Sequence, residues 1–149
     1  MSADETNCLF CRIARGEIPA VTVHADERIV AFLDISPIRP GHVQIIPRAH
    51  HDYFDDLPAP LAAGILALGQ RLAKAQKAAY GVERVSFLFA GGDVRHAHAH
   101  LVPMVEPTDI TSRRYIAEES LTFRTLPHPG QAALDEVAAT LRGHLARLG

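Results

Sequence analysis

Apolar and polar positions follow two rhythms along this chain. Val21 to Ala25 and Arg28 to Asp34 are β-prone runs joined around Asp26-Glu27, which predicts a hairpin. His42 to Pro47 predicts a third strand, Val85 to Ala90 a fourth and His96 to Met104 a fifth. Ser36-Pro37-Ile38-Arg39-Pro40-Gly41 and Ala90-Gly91-Gly92-Asp93 read as turns by their prolines and glycines. Between strands three and four the period changes. Leu61, Ile65, Leu68 and Leu72 recur at helical spacing within Leu57 to Tyr80, and Gly81 supplies a stop. A second helix is predicted from about Gln131, with Leu134, Val137, Leu141, Leu145 and Leu148 on one face. Near the start, Leu9, Phe10 and Ile13 predict a short helix or turn closed by Gly16. This order is that of an α+β fold, an antiparallel sheet backed by helices.

The 149 residues suffice for one domain, with no repeat, linker or low-complexity segment. Fifteen basic residues stand against seventeen acidic ones, and neither sign forms a long run. A general nucleic-acid binder needs a concentrated basic surface to displace counterions, so no nucleic-acid partner is expected. The longest apolar stretch, Leu57 to Gly69, is broken by Pro58 and Pro60 and is too short for a bilayer. Met1 to Glu5 is acidic where a signal peptide would be basic, so the expected location is cytoplasmic, away from membranes.

Nine histidines are the compositional oddity. Three stand as His96-Ala97-His98-Ala99-His100. In a strand all three rings point one way, with small alanines behind that allow close packing. Neighbouring histidines are then about 6.5–7 Å apart at Cα and the outer two about 13 Å. Two can share one metal ion but three on a straight strand cannot, which leaves at least one for other chemistry. A partly solvated sheet face would explain the pattern without any site. The only cysteines, Cys8 and Cys11, form a Cys-x-x-Cys pair, half of a metal site, a redox pair or two small buried hydrophobes. A thioredoxin-like motif normally follows a strand, whereas Cys8 lies almost at the beginning.

His96-Ala97-His98-Ala99-His100-Leu101-Val102 resembles the signature of the histidine-triad (HIT) family, His-φ-His-φ-His-φ-φ with φ apolar. Ala31-Phe32-Leu33-Asp34-Ile35-Ser36-Pro37 and Gly41-His42-Val43-Gln44-Ile45-Ile46-Pro47-Arg48-Ala49-His50 are similar to its other blocks, in the right order. Cys8-Leu9-Phe10-Cys11-Arg12-Ile13 resembles the start of the Hint-like, bacterial, zinc-containing branch. The resemblance implies a five-stranded HIT-like sheet with a central and a C-terminal helix. It divides the chain into a flexible tail at 1–7, a HIT domain at 8–106 and a C-terminal extension at 107–149 whose helix packs on the same domain.

It also implies an enzyme, a hydrolase or transferase acting at the α-phosphorus of nucleoside phosphoramidates or related nucleotidyl adducts. His98 would be the nucleophile, forming a covalent nucleotidyl-histidine, and His100 would contact the phosphate and assist the leaving group. Cys8, Cys11, His50 and His96 would hold a structural Zn2+, with His51 an alternative to His50. Asp34 would accept hydrogen bonds from the ribose, unless it caps the turn at Ser36-Pro37. Phe10, Ile13 and Phe32 match positions that line a purine pocket, and a core role is open to them as well. Backbone N–H groups of Gly91 and Gly92 could cradle phosphate. A homodimer is the expected assembly.

The chain departs from the family's pattern just before the triad. Phe89 to His96 lacks the usual Asn and Gln, and Asp93 stands where a phosphate contact often lies. That keeps open a dinucleoside polyphosphate hydrolase and a zinc-stabilised nucleotide-binding module with little turnover. Catalytic zinc on His96 and His98 is disfavoured, because the cysteine pair completes a closed site.

Overall fold

A computed structural model of the chain describes residues 5, 7–90, 92–110, 120, 122 and 125–148. In chain order, a short helix α1 (Leu9–Ala14) precedes the hairpin β1 (Thr22–Ala25) and β2 (Ile29–Leu33), then β3 (Val43–Pro47). The long helix α2 (Ala59–Tyr80), strands β4 (Val85–Phe89) and β5 (Ala99–Pro103), and helix α3 (Gln131–Arg147) follow. The five strands form one antiparallel sheet in the order β1-β2-β3-β5-β4. Among the described residues no helix is long and apolar enough to cross a membrane.

Each strand sends alternate side chains to opposite faces, and the sheet is covered unequally. Ile29, Ala31, Leu33, Val43, Ile45, Ala97, Ala99 and Leu101 meet Leu61, Ile65, Leu68 and Leu72 of α2 and Leu134, Leu141 and Leu145 of α3 in the main core. Val30, Phe32 and Ile46 face the other way and meet Phe10 and Ala14 of α1 in a smaller cluster. β2 is therefore buried at all five residues. The predicted apolar face of α3 runs one turn too far, since Leu148 lies at the helix end and is exposed.

Asp26 closes the first hairpin by accepting the N–H groups of Arg28 and Ile29, both at 2.8 Å. Gly81 ends α2 in the left-handed conformation at φ +64°, as the sequence predicts.

β5 begins three residues later than the histidine pattern predicts. The ladder with β3 pairs Ile45 with Ala99, and further pairing would run into Pro47, which has no N–H to give. His96 to His98 are tied down otherwise: Ala97 N–H donates to the His51 carbonyl at 2.7 Å. Alternation persists there, because Ala97 and Ala99 both enter the main core and leave the imidazoles on the α1 face.

Candidate functional site

Two groups of polar side chains sit on the α1 face. The first joins the start of α1 to the loops after β3 and before β5. The ligand atoms of Cys8, Cys11, His50 and His96 all lie within 4.8 Å of one another. His96 Nδ1 is 3.4 Å from each sulfur, and His50 Nδ1 is 3.2 Å from Cys11 Sγ. A tetrahedral zinc site with Zn–S near 2.3 Å and Zn–N near 2.0–2.1 Å has N···S edges of about 3.6 Å, so the four residues fit such an ion. Each ring is held by its remote nitrogen. His96 Nε2–H donates to the Pro47 carbonyl at 3.0 Å and His50 Nε2–H to Asp52 Oδ1 at 3.0 Å. Both Nδ1 lone pairs are thereby turned toward the sulfurs, the arrangement a metal-ligating histidine needs. Asp52 is itself paired with Arg95 at 2.8 Å.

Burial is the largest influence on the protonation of His96 and Cys11. It lowers the His96 pKa to about 4, against the opposing bond to Pro47, so the ring is neutral near pH 7. Burial and the neighbouring Cys8 push the Cys11 thiol up to about 12. A bound cation would reverse that, because it replaces the thiol proton.

The second group lies where β2, β3 and β5 approach the loop 34–42. His98 Nδ1–H donates to the His96 carbonyl at 2.6 Å, which leaves the Nε2 lone pair free. The Ile38 N–H donates to His42 Nδ1 at 3.2 Å, so the His42 proton is on Nε2. That proton is directed to His100 Nδ1 at 2.9 Å, which leaves the His100 proton on Nε2. The His98 and His100 rings meet edge to face, with centroids 5.0 Å apart. Burial lowers the His42 pKa, and burial followed by the neighbouring His42 and His98 lowers that of His100 to about 4. Asp34 lies near enough to join His42 and His100 in a three-ligand group. The backbone donor on His42 Nδ1 argues against a metal there, since a ring bound through Nε2 would carry its proton on Nδ1.

Phe10, Asp34, Gln44, Gly92, Asp93, His98 and His100 are among the residues lining a cleft of about 360 Å3 beside this pair. Asp34 does both things the sequence left open. Its Oδ1 caps the turn by accepting Ser36 N–H at 2.7 Å, and it stands in the cleft wall, where Gln44 Nε2 donates to Oδ2 at 2.6 Å. Phe10 touches the His98 ring edge to face at 5.0 Å, whereas Ile13 and Phe32 pack in the apolar cluster behind it. Gly92 is exposed at the cleft, and Gly91 falls outside the described residues.

A family model described as HIT domain matches residues 15–106. The chain belongs to the HIT family. Among its relatives is an adenosine 5'-monophosphoramidase of Saccharomyces cerevisiae, 37% identical over 97 residues, which covers 64% of this chain and 61% of that one. An adenylylsulfatase of Arabidopsis thaliana is 28% identical over 149 residues, 97% of this chain and 72% of that one. A crystal structure of a zinc-bound histidine triad family protein from Mycobacterium smegmatis superposes with a TM-score of 0.73 at 30% identity. That match covers 97% of this chain and 96% of the other.

Sequence reasoning placed the imidazoles of the triad but missed their holders. His42 stands inside the segment Gly41 to His50 that resembles a HIT block, yet its ring has a role only once β5 lies beside it. Asp52 had a local signal that went unread, a carboxylate two residues after a histidine proposed as a metal ligand. Arg95 pairs with Asp52 from a segment that is not a strand.

Proposed function

We propose that this HIT protein hydrolyses a purine nucleoside phosphoramidate, or a related nucleotidyl adduct, through a nucleotidyl-His98 intermediate. The observation that carries this reading is the 2.6 Å bond from His98 Nδ1 to the His96 carbonyl, beside an open cleft. It places the proton of the uncharged imidazole on Nδ1 and the lone pair on Nε2, the tautomer in which histidine attacks phosphorus. Asp34 supplies an acceptor for ribose hydroxyls, and Phe10 an apolar surface beside the base.

His98 Nε2 bonds to the α-phosphorus as the phosphorus–nitrogen bond to the amine breaks, and the amine keeps that electron pair. Water then bonds to phosphorus, the phosphorus–Nε2 pair returns to the ring, and the water proton passes to solvent or to the released nucleotide. The His42–His100 pair is neutral and its single bridging proton points at His100, so His100 offers an Nε2–H hydrogen bond to a phosphoryl oxygen rather than a spare proton. The arrangement suits leaving groups that need no proton from the enzyme. An amine that enters already protonated on nitrogen is one, and sulfate is another, in keeping with the relatives named above.

Cys8, Cys11, His50 and His96 are assigned to a structural zinc ion. Such a site has four protein ligands and no open position, so it would stiffen the join between α1 and the His98 segment and take no part in bond making.

Intact-protein mass spectrometry during turnover of an adenosine phosphoramidate tests the reading. A transient adenylyl adduct in the wild type, absent in His98→Ala, is expected. Hydrolysis that persists in His98→Ala with no adduct overturns the nucleophile assignment, and binding of AMP with no turnover in either protein turns the reading into a binding module.

A further inference from the structure

Gln76 is fully buried one turn before the end of α2, among the residues that pack the main core. Its Nε2 donates to the Gly41 carbonyl at 2.7 Å and to the Leu101 carbonyl at 3.2 Å. Gly41 immediately precedes His42 and Leu101 immediately follows His100. One amide group on the far side of the sheet therefore grips the backbone next to both members of the hydrogen-bonded pair.

The grip lies where the sheet stops helping. The β3–β5 ladder ends at the pair Val43 and Leu101, so His42 stands one step and Gly41 two steps beyond the last rung. His42 is tied on its other side, its carbonyl accepting Asp34 N–H at 2.9 Å and its N–H donating to the Arg39 carbonyl at 3.0 Å, and neither bond reaches β5. Gln76 supplies the missing connection, since its two N–H groups reach one carbonyl on each side.

The rest of the turn is held in the same spirit. Gly41 has φ +85°, and a Cβ on it would overlap the Tyr80 ring, one helical turn after Gln76 on α2. On the outer side Arg39 makes a bidentate pair with Asp109, with contacts between 2.7 and 3.0 Å.

Packing alone does not account for this residue. Gln76 Oε1 has no hydrogen-bond partner among the described residues, which costs stability relative to an apolar side chain of similar shape. A polar group kept in a core at such a cost points to a task elsewhere.

We propose that Gln76 is a positioning residue, which sets the His42–His100 hydrogen bond and through it the direction of the His100 Nε2–H. The proposal rests on the hydrolytic reading of the cleft, and it has a readout of its own. Gln76→Met keeps the length and removes both donors. It is expected to leave KM for an adenosine phosphoramidate within about twofold and to lower kcat roughly tenfold, the size of effect that a misplaced catalytic group produces. In a His42→Ala background the same substitution should change kcat less than about twofold, because the pair through which it acts is already gone. Gln76→Glu, buried as the neutral acid with one O–H donor, should recover part of the loss.

Long-range nitrogen–proton NMR correlations of the His42 and His100 rings give the independent check. They should report the Nε2–H form of His42 in the wild type and a changed or averaged pattern in Gln76→Met. Unchanged ring signals, or equal kcat losses with and without His42, reduce Gln76 to a packing residue and overturn the proposal. If Gln76→Met does not fold, Gln76→Glu is read by the same signals, and wild-type ring patterns there with a lowered kcat likewise overturn it. A wild type that turns over no phosphoramidate defeats the hydrolytic reading, and the ring signals then still decide on Gln76.

Discussion

The two histidine groups of this protein lie on one face of one sheet, are drawn from the same residue type, and end in opposite states. At the cysteine end, His50 and His96 donate outward, to Asp52 and to the Pro47 carbonyl, so their lone pairs converge on two sulfurs. At the cleft end the rings are chained. Ile38 N–H fills the lone pair of His42, and the His42 N–H is aimed at that of His100. Converging lone pairs call for a cation, while a chain of donors and acceptors excludes one. His96 and His98 are two residues apart, yet one belongs to each group, and the His96 carbonyl that orients His98 is the covalent seam between them. The difference teaches that imidazole chemistry is decided by what occupies the second nitrogen.

Several changes would break or sharpen that contrast. The largest expected effect is at the seam. His98→Ala should lower kcat for an adenosine phosphoramidate by at least roughly a thousandfold, while calorimetric affinity for AMP stays within a few-fold. Cys11→Ser attacks the other end and should act on stability. Loss of the zinc assigned to this cluster, followed by atomic absorption, should lower Tm by on the order of 10 °C, because the site ties α1 to segments far away in sequence. A Cys11→Ser protein that holds stoichiometric zinc would defeat the assignment of that cluster.

His42→Ala should fall between these two in kind. A kcat reduction of roughly ten- to a hundredfold is expected, with zinc content unchanged, since the substitution touches the chain of donors only. Equal loss of zinc and activity would mean that the two groups are one unit.

The smallest effect concerns pH. The folded pKa of His100, about 4, lies below the ordinary value of 6.5, so the unfolded chain takes up a proton first as pH falls. Stability from this group is complete above pH 6.5 and is lost between about pH 6.5 and 4. Urea unfolding at pH 7 and pH 5 should therefore show the wild type losing more stability than His100→Gln, by on the order of 1 kcal/mol once partial solvent exposure is allowed for.

Much of the architecture is legible in local patterns. Leu61, Ile65, Leu68 and Leu72 announce the buried face of α2, and every one of them enters the main core. Ala97 and Ala99 announce a closely packed back to the histidine segment, and both are buried there. The late start of β5 was not legible, because it depends on Pro47 lying opposite in a register that only the sheet defines. The candidate site divides in the same way. Cys8, Cys11, His50 and His96 could be named from motif blocks, and Asp34 could be named without it being clear whether it capped a turn or faced a cleft. Gln76 carried no local signal, as it reads like one more polar position in an Ala-rich helix.

What the sequence determined by itself is which elements form, in which order, and which residue types the chain can bring to a site. Those follow from interactions within a few residues, where alternation, helical period and turn residues act directly on the backbone. The tertiary structure alone decided the protonated nitrogen of each ring, the split of the histidines into two groups, and the reach of Gln76 to both carbonyls. Each of those depends on a hydrogen bond or close contact to a partner remote in sequence, 58 residues from His42 to His100, 85 from Cys11 to His96 and 35 from Gln76 to Gly41. A donor or acceptor has no direction until its partner is in place, and only the closed fold puts it there.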